Sequence, residues 1–294
     1  MMPQPEPHAA QDEPDEIAVF QDESGDFGHD DWVFLGMLWV RRADVAALAA
    51  DLNARRVGFA GEVHFYRFPR NFGGEYGAAA RTARAWFDLW RTEWGRRTWF
   101  NVLAVNRRHA LYDGVRFGRP ERAYLLFTAL ALRAGLAAFF RGAPAPSLAI
   151  WSDERSGRAS GVDPGGGAAA LAAALRQPPA PDMTAGGAAG MTVMVNDADV
   201  HTLSGVRVDP DFAPEQELLQ LTDLLLGAAG TAIDPRATAA TKRHFAREMA
   251  LVMEDVRVAA RPRSFGLHGR FLTTYFPGFD GRLSGDGPIG VRVE

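Results

Sequence analysis

The 294-residue chain contains no cysteine. Disulfides, thiolate zinc sites and cysteine nucleophiles are therefore excluded. Lysine is almost absent, with Lys242 standing alone. There is no surplus of positive charge either: the formal net charge is −4, which excludes a generically basic nucleic-acid binder. No uncharged run reaches the roughly 18 apolar residues a membrane span needs, so no membrane partner is expected. The opening MMPQPEPHAAQDEPDE lacks the basic-then-apolar order of a secretory signal. Together with the missing cysteines, this leads to an expected cytoplasmic location. Three catalytic signatures are missing as well. No Gly-x-Ser-x-Gly elbow surrounds Ser24, no glycine-rich phosphate loop precedes Lys242, and no His-Glu-x-x-His pair occurs.

What is present is the composition of a folded domain, 47% hydrophobic and 23% charged. The cations are nearly all arginine, whose planar fork can bond two phosphate oxygens at once. Residues 1–16 hold five acids and no Lys or Arg, and too little apolar content to fold. They are expected to form a disordered acidic tail, and 17–294 a single domain.

Within that domain Ile17 to Gln21 reads as a strand running into a polar turn, and 31–40 as a second strand, the two making a hairpin. Helices are expected over Ala43–Arg56, Tyr76–Trp94, Pro120–Phe140, Pro214–Ala229 and Lys242–Val256. A short helix is expected near 167–176. Further strands are expected at Thr98–Val105, Ser147–Trp151 and Met191–Val195, with 62–66 a short strand or extended loop. Residues 155–190 form a Gly- and Pro-rich loop region, and 257–294 an irregular extension packing aromatics back on the body. The alternation predicts an α/β fold, with a mixed sheet of about five strands flanked by helices.

Polar groups stand out where apolar ones belong. Asp22-Glu23-Ser24-Gly25 follows the first strand, and Asp153-Glu154 follows the strand Ser147–Trp151. The segment ELLQLTDLLLGAAG is apolar around nearly its whole circumference, so its helix should be buried. Yet Glu217, Gln220 and Asp223, three apart, line one side of it. A buried carboxylate stays ionised only beside a metal ion or an arginine. Acids at strand ends, where α/β sites form, can converge with this helix. Two Mg²⁺ or Mn²⁺ ions about 4 Å apart would then bind both oxygens exchanged in phosphodiester cleavage.

These residues resemble the family catalogued as domain of unknown function 3800. The resemblance lies in Asp22-Glu23-Ser24-Gly25 after a strand, Trp151-Ser152-Asp153-Glu154 after a later strand, Gly61-Glu62-Val63-His64, and Leu219-Gln220-Leu221-Thr222-Asp223-Leu224-Leu225. Thr222 stands where the family often has alanine. The resemblance covers about residues 17–256 and implies a ribonuclease-H-like fold and, by analogy, a metal-dependent nuclease. It implies Asp22 as the bridging ligand and Asp153 as the second, with Asp223 or Glu217 completing the site. Glu23, Glu154 and Gln220 are neighbours that would join or point away. His64 would orient phosphate or transfer a proton.

Three functions are carried forward. The first is a divalent-metal-dependent nuclease acting on DNA or RNA, with Arg41/Arg42, Arg55/Arg56, Arg96/Arg97 and Arg107/Arg108 tracking phosphates. The second is a non-catalytic nucleic-acid-binding or regulatory module on the same fold. The third is a phosphohydrolase for a small nucleotide, which would show an enclosed pocket rather than an open groove.

Overall fold

The computed structural model describes residues 16–74, 77–109, 112, 119–140, 146–153, 171, 173, 175, 200–203, 213–258 and 270–276. For 153, 200, 202, 203 and 254–258 it describes the backbone alone. Residues 1–15 of the expected acidic tail, most of the 155–190 loop region, the expected strand at 191–195, Glu154 and most of the 257–294 extension lie outside the described residues, whereas Glu16, expected in the tail, is the first residue of a strand.

The elements run β1 (Glu16–Ser24), β2 (Trp32–Arg41), α1 (Val45–Ala54), α2 (Ala78–Leu89), β3 (Thr98–Asn106), α3 (Pro120–Phe139), β4 (Ser147–Asp153), β5 (Val200–Leu203), α4 (Ala213–Ile233), α5 (Ala240–Val258) and β6 (Phe271–Phe276). They build an α/β fold around one mixed sheet in the order β5-β4-β1-β2-β3-β6. β2 is antiparallel to β1 and to β3. β4 runs parallel to β1, β5 to β4, and β6 to β3.

Two expectations are corrected. Residues 271–276, expected in an irregular extension, form edge strand β6 (Phe271–Phe276), so that among the described residues the mixed sheet, expected at about five strands, has six. All six residues of β6 are buried, so its run FLTTYF shows none of the alternation by which a half-buried strand is recognised. In addition, β1 continues through Ser24, which makes Asp22 and Glu23 strand residues rather than turn residues. The Asp-Glu-Ser composition suggests a turn, but pairing with β2 as far as Ser24 opposite Phe34 overrides it.

Burial on both faces explains why the strands read as continuous apolar runs. One face, carrying Ala18, Phe20, Leu38, Val102 and Trp151, is covered by α1, α2, α4 and α5. The other, carrying Val19, Leu35, Trp39, Leu103 and Ile150, is covered by α3. Pro120 sits in the first turn of α3, where its missing N–H costs nothing. Among the described residues α3 is long and apolar enough to cross a membrane; here it packs against β2, β3 and β6.

Candidate functional site

Two strand ends that carry acids lie side by side. The parallel register of β1 and β4 runs from Glu16 with Ser147 to Gln21 with Ser152. One step further sets position 22 beside position 153, both near the carboxyl ends of their strands. Asp22 is only 7% exposed. Strand alternation puts it on the face of Ala18 and Phe20, the face that α4 covers. Its partner on β2 is Gly36. A Cβ there would lie 3.0 Å from Leu226 of α4, so the glycine lets the helix close on the sheet at the level of Asp22.

A buried network fixes the β1–β4 register just before these acids. Ser152 Oγ donates to Gln21 Oε1 at 3.1 Å, and Gln21 Nε2 donates to the Tyr124 hydroxyl of α3 at 2.5 Å. Burial pushes the Tyr124 phenol up, and the nearby Glu23 carboxylate pushes it the same way. The phenol therefore stays protonated and holds Gln21 in place.

The stripe on α4 has other partners. Arg56 Nη2 lies 2.7 Å and 2.8 Å from the two oxygens of Glu217. Its guanidinium stacks 4.9 Å from the centre of the Trp86 ring. Gln220 Oε1 accepts the Val63 amide at 2.9 Å. Asp223 Oδ2 accepts the Phe65 amide at 2.6 Å and lies 2.9 Å from His64 Nδ1. The segment 62–67, an extended loop ending in a 3-10 turn, thus docks its amides onto the side chains of a buried helix. Gly227 makes room for it, since a Cβ there would sit 2.3 Å from the Phe65 ring. Of the two ways to keep Glu217 ionised that the sequence left open, the structure contains the arginine. Burial nevertheless pushes its carboxyl above the usual range, with Arg56 opposing.

Asp223 and His64 are therefore brought together, whereas Glu217 is turned to Arg56. Glu62 is paired to Arg67 at 2.8 Å. Lys242 of α5 donates to the Tyr66 carbonyl at 3.0 Å. Burial pulls its ammonium down, and the Asp223 charge opposes that. Sequence reasoning missed the roles of Arg56, Tyr66 and Lys242. The need for a counter-charge at Glu217 was the one signal pointing to Arg56.

Among the described residues no three His, Asp or Glu side chains form a group able to hold a metal ion. That statement does not reach Asp153, whose side chain lies outside the description. Positions 22 and 153 are two carboxyl-bearing residues at adjacent strand ends, and carboxylate is the ligand type that a hard divalent cation takes. Glu217 does not fit, because both its oxygens bind Arg56.

Several arginines expected to track phosphates are engaged within the protein. Arg42 binds Glu215 at 3.1 Å, Arg55 binds Glu93 at 2.6 Å, and Arg108 binds Asp31 at 2.6 Å. Arg97 pairs with Asp44, and Arg107 donates to the Asp30 carbonyl. In comparisons with known proteins, no family model, no curated protein and no solved structure matches this chain.

Proposed function

We propose that this protein is a divalent-metal-dependent nuclease that hydrolyses phosphodiester bonds on a ribonuclease-H-like scaffold. The observation that carries the reading is the acid pair at positions 22 and 153, on adjacent parallel strands at the carboxyl edge of the sheet. The connectivity supports it: an antiparallel β1-β2-β3 meander, with β4 and β5 added in parallel on the other side of β1. The resemblance of residues 17–256 to domain of unknown function 3800 belongs to the same proposal.

Asp22 and Asp153 would hold Mg²⁺ or Mn²⁺. Such an ion, when bound, stabilises phosphoryl charge and lowers the pKa of a water. The chain's own residues do the rest. Asp22 is presented from a strand buried on both faces, so its position is rigid. Asp223 accepts at Oδ2 from His64 Nδ1, which assigns the proton to Nδ1 and turns Nε2 away from Asp223. In that tautomer Nε2 can accept a proton from water, and once protonated it can donate to a phosphate oxygen. Arg56, bound to Glu217, holds the loop that carries His64 against α4.

The test is direct. Wild type and Asp22→Ala are incubated with single- and double-stranded DNA and RNA in the presence of Mn²⁺. Cleavage by wild type alone is the expected result. Absence of metal-dependent cleavage on every substrate would overturn the reading and leave a binding module.

A further inference from the structure

Tyr66 is the only exposed tyrosine, tryptophan or phenylalanine among the described residues, with 80% of its surface open to solvent. It stands on a turn whose backbone is held at several points. The Phe65 amide before it donates to Asp223 at 2.6 Å, the Arg67 amide after it donates to the His64 carbonyl at 3.0 Å, and its own carbonyl accepts from Lys242. A solvent-facing ring on a tethered turn loses little entropy when something packs on it. The Lys242 ammonium lies 4.8 Å from the centre of the ring, over one face, and 5.6 Å from that of Phe65. Arg67, with 56% of its side chain exposed, and the exposed Arg70 follow on the same segment. The platform begins two residues from His64, beside Asp223.

We propose that Tyr66 is a stacking platform for an unpaired nucleobase, with Lys242 meeting the adjoining phosphate, so that the site takes single-stranded nucleic acid. This rests on the nuclease reading above. Stacking needs a base whose face is free, and bases in a duplex have both faces occupied by their neighbours. An aromatic face flanked by cations selects for single strands without selecting sequence.

Fluorescence anisotropy with the full chain in EDTA, where metal-dependent cleavage cannot occur, tests this. The probes are a labelled oligothymidylate and a labelled duplex of the same length. Wild type should bind the single strand more tightly than the duplex. Tyr66→Ala should weaken single-strand binding about tenfold or more and leave the duplex unchanged. Tyr66→Phe and Tyr66→Trp should stay within about twofold of wild type, since each keeps an aromatic face. Lys242→Gln should reduce the slope of log affinity against log salt by about 0.7. Equal single-strand affinity of Tyr66→Ala and wild type would overturn the platform, as would equal losses on both probes. If wild type then still cuts with Mn²⁺, the nuclease reading survives without it. If Tyr66-dependent single-strand binding is seen and nothing is cut, the platform stands and the nuclease reading falls.

Discussion

Arg56 and Glu217, 161 residues apart in the chain, meet with one guanidinium nitrogen within 2.8 Å of both carboxylate oxygens. Side-chain exposures of 13% and 18% make this a largely desolvated pair. It joins the end of α1 to α4 and frames the loop that presents His64 and Tyr66. If Glu217 serves this pair and not a metal, Glu217→Gln should keep cleavage within about threefold of wild type, because glutamine still accepts from Arg56. A metal ligand would not tolerate that change. Metal-titrated cleavage rates decide between them.

Removing the arginine should be costly. Arg56→Ala leaves a half-buried carboxylate without its counter-charge and should destabilise the fold by about 3 kcal/mol. The pH dependence has a definite sign. The Glu217 carboxyl is raised on folding, so its contribution to stability is complete below the ordinary glutamate pKa. That contribution is lost as pH rises through the folded value. Arg56 limits the rise, so Arg56→Ala should lose more stability between acid and neutral pH than wild type does. Urea unfolding at several pH values measures this, and equal slopes for both proteins would refute it.

In the proposed site Asp22 supplies one of the charges that would hold the cation. Asp22→Asn should therefore lower cleavage by about a hundredfold or more. Wild type, and not the variant, should gain thermal stability on adding Mn²⁺. Thermal melts with and without the ion check this independently of any substrate.

Asp223 serves two donors, the Phe65 amide and His64 Nδ1. Asparagine can satisfy the first while presenting an N–H to the second, which pushes His64 to the other tautomer. Asp223→Asn should keep the fold and lower cleavage about a hundredfold, with an altered pH–rate profile. An unchanged profile would remove His64 from proton transfer.

Gly227→Ala tests the docking of the 62–67 segment without touching a charge. Its Cβ would fall 2.3 Å from the Phe65 ring, so the segment must shift. A loss of about 1–3 kcal/mol is expected, together with impaired cleavage. Native cleavage at full stability would show that the segment is dispensable.

The sequence alone determined the α/β class and most of its elements. A strand or helix reports itself through local periodicity, and α4 extended the expected 214–229 helix only to 213–233. It also marked Asp22, Asp153, Glu217 and Asp223 as polar groups out of place in apolar surroundings. Other features were decided by tertiary structure. Whether Glu217 met a metal or an arginine depended on where the end of α1 lay in space, and no periodicity encodes a contact made 161 residues away. Edge strand β6 likewise exists because β3 offers a free edge for it to pair with. Burial identifies a carboxylate that needs a partner, and only the packing of distant segments supplies one.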